Sequence, residues 1–337
     1  MSIGPITKAA GAAGIGVEGP IHVDGFLTTY SEAYAQEESS FVSSVAASNI
    51  PVNKQSDLYL TYPRGYFWRD QVERRPLGGR PVQATYKAAS DSYIAEEWAL
   101  EHVIDDRQRA NADAPISLEM NGTALLTQAQ MIRSDRMWAA AFFATSVWTN
   151  DFTGGADFMQ FSDPNSDPLR VIEEKSVLMQ SSTAKRPNTL IVGANVNTEF
   201  ANHPDIIDRI KYTQRGVVTG DLLASMFGVT NYRVAASVYN TAKEGATEDI
   251  DFIVNPDAMW LGYIAPNAAL NTPTAIARFS WTGLIAGATN NLGGVISRGR
   301  DARAYSDYLH SRTAFALKKV SADLGIFFAA AVSPPSN

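Results

Sequence analysis

Cysteine is missing from all 337 residues, which removes disulfides, thiolate metal sites and any cysteine nucleophile. The fold must hold by packing, and a chain of this length buries enough apolar surface for one large or two modest domains. Histidine is scarce: His22, His102, His203 and His310 stand far apart, so no metal centre and no cofactor are expected. The longest unbroken apolar run, Met137 to Ala144, falls well short of the roughly 18 residues of a membrane helix. No membrane span is expected. At the N-terminus only Lys8 precedes a Gly/Ala stretch, without the charged-then-apolar layout of a secretory signal, so the protein is expected to stay where it is made.

Positive charge is in deficit. With 28 Lys and Arg against 35 Asp and Glu the net charge is −7, so nucleic-acid contact would need a local basic surface and is not expected to be sequence-specific. Charged residues make up 19% of the chain, below the roughly 25% of a typical domain, which fits a surface partly hidden against neighbours.

Catalytic signatures are missing as well. Phosphate-cradling, nucleophile-elbow, zinc-helix and calcium-loop patterns do not occur. Gly14-Ile15-Gly16-Val17-Glu18-Gly19 matches a dinucleotide fingerprint, but neither a buried strand before it nor a helix after it is evident, and a glycine-rich arm is the better reading. The acidic pairs Glu96-Glu97 and Asp105-Asp106 are adjacent, so on a strand they point to opposite faces and do not converge on a substrate. No catalytic residue is expected.

What is present reads as an α+β chain. Residues 1–56 are rich in Gly, Ala and Ser and read as an arm with one helix from Thr28 to Ser44. Leu58, Leu60 and Tyr62 alternate with Tyr59 and Thr61, and Val82 to Tyr86 alternates likewise, predicting two strands that flank a long projecting tip from Arg64 to Pro81. A helix is predicted from Pro115, capped by Asp113, to Val147, with Leu118, Leu125, Ala129, Ile132, Ala139 and Phe143 as its apolar stripe. It would span roughly 45–50 Å. Gly122 weakens its first third by about 1 kcal/mol and marks a possible bend.

A second helix is predicted from Asp167-Pro168 to Ser181, then a strand at Thr189–Val192. Helices follow at Asn195–Ala201, Pro204–Tyr212 and Gly220–Phe227, the last closed by Gly228, and strands at Tyr232–Ala236, Phe252–Val254 and Met259–Ile264. The chain then ends in strands at Ala275–Thr282, Ala302–Leu309, Thr313–Val320 and Leu324–Ala330.

One charge asymmetry stands out. Arg64, Arg69, Arg74, Arg75 and Arg80 crowd the loop tip, while Asp91, Glu96, Glu97, Glu101, Asp105 and Asp106 follow with no Lys or Arg before Arg107. The basic tip of one subunit is expected to reach the acidic segment of its neighbour and to set orientation more than affinity. Two unrelated surface patches are the alternative.

The stretch Tyr93-Ile94-Ala95-Glu96-Glu97-Trp98-Ala99-Leu100-Glu101, then Ile104 to Arg107 and Arg109 to Pro115, resembles major capsid proteins of tailed phages. So do Arg186-Pro187-Asn188-Thr189-Leu190 and the run His203 to Gly216. The resemblance covers residues 57–330 and includes the element order. It implies the Hong Kong 97-like capsid fold: an N-terminal arm (1–56), an extended loop (57–92), a peripheral domain with a long spine helix (93–186 and 268–337) and an axial domain (187–267).

In function it implies a structural subunit, with no enzyme activity, that self-assembles into pentamers and hexamers of an icosahedral head around double-stranded DNA. The protein is then expected in the virion after assembly in the host cytoplasm. Its expected partners are further copies of itself, a portal protein, a separate scaffolding protein, a possible decoration protein and packaged DNA. Such shells form as procapsids that mature by expansion, with Gly122 a candidate switch point. Lys87 sits near the loop base with no lysine at the tip, which does not favour a covalent cross-link there. Two rivals remain open: a nanocompartment shell of the same fold, and a soluble enzyme with an unrecognised site.

Overall fold

The computed structural model describes residues 36–61, 64–75, 77–112, 118–211, 218–267, 272–285 and 295–334. The Gly14–Gly19 pattern, the start of the expected helix at Thr28, the Asp113 cap and Pro115 lie outside the described residues.

The chain enters the body earlier than its composition suggests. Over the described part of the expected helix, residues 36–44, the chain shows a 3-10 turn at Glu38–Ser40 in place of an α-helix. Phe41, Val42, Ser43, Ala46 and Ala47 are then buried. Small side chains here let backbone approach backbone. β1 (Ser48–Val52) follows and pairs in parallel with a strand from the far end of the chain.

β2 (Ser56–Thr61) and β3 (Ala89–Ile94) form an antiparallel hairpin in register Ser56↔Ile94 to Thr61↔Ala89. The expected strand at Val82–Tyr86 is not one. Its alternation has no strand opposite, and Val82 and Tyr86 point into solvent; pairing, not alternation alone, makes a strand. The connecting loop holds one turn of helix, α1 (Arg64–Phe67). At the hairpin root Tyr93 stacks on Phe279, with ring centroids 4.4 Å apart, and Tyr59 meets the same ring at 5.4 Å.

β4 (Glu96–Asp105) runs straight into α2 (Asp106–Asn111) because Asp105 caps it: its carboxylate accepts from Arg107 N–H, while the Gln108 side chain reaches back to the Asp105 amide. α3 (Leu118–Phe142) is the long helix, about 37 Å at 1.5 Å per residue. Its expected extension to Val147 does not form. The Trp148 indole donates to Phe142 O at 2.8 Å, and Ser146 takes a left-handed conformation (φ 65°), so the last turn is closed and the chain reverses.

The expected apolar stripe of α3 is buried only in part: Leu118 packs against the Ile104, Leu126 and Leu309 cluster, and Ala139 and Phe143 pack in the Trp138 cluster, but Leu125 does not. The buried residues are Gly122, Leu126, Gln130, Ser134, Asp135, Trp138 and Phe142, whereas Leu125 is 55% exposed. Steps of four advance about 40° around a helix of 3.6 residues per turn, so the buried line rotates by about 200° between Gly122 and Phe142. One helix thereby faces two sheets in succession. Its first half packs on β4 and β13, Leu126 meeting Ile104 and Leu309; its last turns set Trp138 edge-on to Trp260.

β5 (Asn150–Thr153) precedes α4 (Pro168–Thr183), which Asp167 caps by accepting from Arg170 N–H. β6 (Thr189–Gly193), α5 (Ala194–Asn202), α6 (Pro204–Ile210), α7 (Gly220–Phe227) and β7 (Asn231–Ala235) lie within two residues of expectation at each boundary, and Gly228 closes α7 at φ 67°. β8 (Val238–Asn240), unforeseen, pairs with β9 (Ile250–Phe252), and β10 (Met259–Gly262) follows. The end of the chain supplies β11 (Ile276–Trp281), β12 (Val295–Asp301), β13 (Ser306–Lys319) and β14 (Gly325–Ala329). The two strands expected at 302–309 and 313–320 are one strand of 14 residues. β4 pairs with it from Ser306 to Phe315, and β12 and β11 follow each other along it, so no turn forms at His310–Arg312.

Two five-stranded sheets result: β1-β11-β13-β12 with β4 also on β13, and β5-β14-β10-β6-β7. In the second, alternate residues serve two cores. Leu190, Val192, Met259, Leu261, Ile326 and Phe328 meet the helices through Ile172, Met179, Phe200 and Phe227. Ile191, Trp260 and Phe327 meet the end of α3 through Trp138, Phe142 and Phe143. Strands from residues 150–153 and 325–329 complete the sheet whose centre is 189–262.

Candidate assembly surfaces

The hairpin β2–β3 carries its loop away from both cores. Along it Leu58, Phe67, Trp68, Val72, Leu77, Val82, Tyr86 and Ile94 are all exposed, Leu77 completely. Scattered exposed apolar residues are ordinary, but this many on one projection make an unusually apolar exposed surface. Arg69, Arg74, Arg75 and Arg80 are exposed on the same loop. Among the described residues Arg74, Arg75 and Arg80 enter no ion pair; the side chain of Arg64 is not described.

The acidic segment divides in two. Glu97 is held by Arg312 of the neighbouring strand at 2.6 Å. Asp105 is spent on the α2 cap, and Asp106 takes a two-pronged contact from Arg300 at 2.6 and 2.7 Å. Glu96 and Glu101 stay exposed on β4, Glu101 opposite His310 in the register. Asp91 accepts the Tyr59 hydroxyl at 2.7 Å, so two of the six acidic residues are available to an outside cation and four are occupied by their own chain.

Sequence reasoning missed the strongest electrostatic feature. Asp307 on β13 receives Arg298 at 2.7 Å, Arg109 at 2.9 Å and Arg300 at 3.2 Å, while Glu119 at the start of α3 receives Arg109 at 3.0 Å. The hydrogen bonds from Arg298 and Arg109 hold the Asp307 carboxyl far below the usual carboxylate range, and the hydrogen bond from Arg300 lowers that of Asp106. This network pins α2, the start of α3, β12 and β13 together. The one local clue was the spacing Arg298-Gly299-Arg300 ahead of Asp307, which the β12–β13 register turns into cross-strand contact, Arg300 facing Asp307.

Gly122 lies inside unbroken helix. A Cβ there would sit 2.5 Å from His102 Cδ2 and 3.0 Å from Leu309 Cδ1. Close approach of α3 to the first sheet therefore gives this glycine a packing reason independent of any bend.

One pair imitates a catalytic arrangement. Ser166 Oγ lies 3.0 Å from His203 Nε2, and both residues are buried. But His203 Nδ1 accepts the Asp205 amide at the head of α6, which in the neutral ring leaves the proton on Nε2. The ring then donates toward Ser166 and cannot take its proton, while the Ser166 hydroxyl donates to Asp163 O at 2.8 Å. The pair is a helix cap and loop clasp. Among the described residues no cluster of three His, Asp or Glu is placed to hold a metal ion, and no helix is long and apolar enough to cross a membrane.

No family model matches the sequence. Over 231 residues the chain is 27% identical to the major capsid protein of Burkholderia phage BcepMu, covering 67% of this chain and 73% of that one. In fold it is similar to a phage-related protein of Bordetella bronchiseptica RB50, with TM-score 0.67, 18% identity and 93% and 99% of the two chains covered. It is also similar to the capsid structure of cyanophage P-SCSP1u, with TM-score 0.53, 10% identity and 86% and 87% covered. This is the Hong Kong 97-like capsid fold. The likeness to phage major capsid proteins is thus present in sequence and in fold alike.

Proposed function

We propose that the chain is the structural major capsid protein of a tailed phage, whose copies join through unlike patches into pentamers and hexamers and tile an icosahedral head around double-stranded DNA. The observation that carries this reading is the projecting loop, which exposes Phe67, Trp68, Val72 and Leu77 together with Arg74, Arg75 and Arg80. Such a surface is stable when another copy covers it, and a heterologous contact of this kind closes into rings. Glu96 and Glu101 on β4 are the receiving carboxylates in this reading. Their role is orientation.

In the same reading residues 57–92 are the extended loop, α3 is the spine helix, and 187–267 form the axial domain, joined in its sheet by β5 and β14. The arm ends near residue 40, because residues 41–52 are built into the body. Packaged DNA is met without sequence preference, and portal, scaffolding and decoration proteins are the further partners. The protein acts in the virion after assembly in the host cytoplasm, and its role is structural, with no catalytic step.

The test is the joint variant Arg74→Glu, Arg75→Glu. Electron microscopy should show closed particles for the wild type and free subunits or rings for the variant, with the thermal midpoint of the subunit unchanged. Normal shells from the variant would remove the loop's basic tip from the assembly contact. Nuclease-protected double-stranded DNA in particles from infected cells separates a phage head from a nanocompartment shell of the same fold.

A further inference from the structure

Asp135 has no exposed surface, and it sits on α3 where the helix passes from the first sheet to the second. Its carboxylate gathers donors from two separate segments, including the Ser43 side chain. Oδ1 accepts the Ser43 amide at 2.8 Å; Oδ2 accepts the Val42 amide and the Ser237 hydroxyl, each at 3.1 Å. Ser237 belongs to the link between β7 and β8. The nearest buried cation, Arg278 on β11, does not pair with it directly: it donates to Ser134 at 2.9 Å and lies over the Phe315 ring at 4.0 Å. Burial pushes the Asp135 carboxyl up from its ordinary range, and the Ser43, Val42 and Ser237 donors pull it back. A buried charge of this kind is tolerated only while its hydrogen-bond partners stay in place.

Those partners lie on a segment with separable anchors. Upstream, the Gln36 side-chain amide makes a double contact with Val238, donating to its carbonyl at 2.8 Å and accepting its amide at 2.9 Å. In the middle, Val42, Ala46 and Ala47 pack into the cluster of Trp138 and Trp260. Downstream the chain becomes β1 on β11.

We propose that residues 36–47 form a two-position strap and that Asp135 is its latch, so that this one carboxylate sets the position of the chain at Gln36. Two positions are favoured over a continuum because the two backbone amides sit on opposite oxygens. If the strap shifts partway, a desolvated carboxylate loses its donors without reaching water, which costs more than either the docked or the fully released arrangement. The shape of the contact also excludes the neutral isostere. Asparagine can accept one amide, but its NH2 must then face the other.

The test is site-resolved hydrogen exchange on the full chain, with wild type and variants held in the same assembly state. For Asp135→Asn the Val42 and Ser43 amides should exchange faster by about tenfold or more, as losing a buried hydrogen bond of 1–3 kcal/mol implies. The amides of Ile191 and Leu261, inside the second sheet, should keep wild-type protection. Ser237→Ala removes one donor and leaves both strap amides in place; it should accelerate Val42 and Ser43 only a few-fold and serves as the readout if the asparagine variant does not fold. Gln36→Ala should free the upstream end and leave Ser43 protected. Unchanged exchange at Val42 and Ser43 in Asp135→Asn and Ser237→Ala would overturn the latch. So would equal acceleration at Ile191 and Leu261, which would make Asp135 an ordinary core residue. The readout belongs to the single subunit and is independent of the shell reading.

Discussion

Asp307 shows how one side chain joins three elements. Three guanidinium groups converge on it, and they hold its carboxyl well below the ordinary range. A depressed carboxylate contributes stability that is fully present above the unfolded-state value, near pH 4, and is lost as pH falls through the folded-state value. Acid titration of the thermal midpoint should therefore show a decline beginning below about pH 4, and Asp307→Asn should lower the midpoint at neutral pH and flatten that decline. An unchanged acid limb would mean that the network contributes nothing. Gly122 makes the complementary case. Valine there would press on His102 and Leu309 and should cost about 1–3 kcal/mol by overpacking, more than the few tenths of a kcal/mol by which valine improves on glycine's helix propensity. A denaturant midpoint equal to wild type would contradict the close approach. At this scale the sequence is a poor guide, because Arg109, Glu119, Arg298 and Asp307 stand up to about 200 residues apart and only the folded register brings them together. Glu97, Asp105 and Asp106 were recognisable as an acidic group, but not as residues already engaged at home.

At the scale of elements the long helix carries the main lesson. Leu125 and Leu126 are neighbours with opposite surroundings, the first 55% exposed and the second fully buried against Ile104 and Leu309. Leu126→Ala should destabilise by about 2–5 kcal/mol, whereas Leu125→Ala should stay within about 0.5 kcal/mol. Comparable losses at both positions would sink the rotating buried line. Where local chemistry decides, sequence reading succeeded: Asp167-Pro168 opens α4, Pro204 opens α6 and Gly228 closes α7. Where the partner decides, it failed. The alternation at Val82–Tyr86 has no strand opposite, β13 runs unbroken because other strands line both of its edges, and the α3 stripe follows two sheets that lie far away in sequence.

For the whole molecule, two sheets bridged by one helix account for the body of the subunit, and the projecting loop exposes apolar side chains. The outline of this arrangement was legible in chain order: arm, loop, long helix, mixed lobe and terminal strands occur in the order in which the structure has them. The depth of the arm was not legible, since Gly, Ala and Ser read as flexible composition although Ala46, Ala47 and Ser48 are buried. If the loop is an assembly surface, replacing Trp68 and Leu77 together by serine should leave the subunit's melting unchanged and reduce the yield of closed particles severalfold, as loss of apolar anchors at an interface does. Equal particle yield would show that these residues face solvent in the shell. The most direct measurement is a cryo-electron-microscopy reconstruction of the assembled full-length protein. The account predicts a closed lattice in which the residue 64–88 loop of each subunit lies on the β4 surface of a neighbour, with Phe67, Trp68 and Leu77 covered. A chain that stays monomeric under every assembly condition, with this loop open to water, would contradict it.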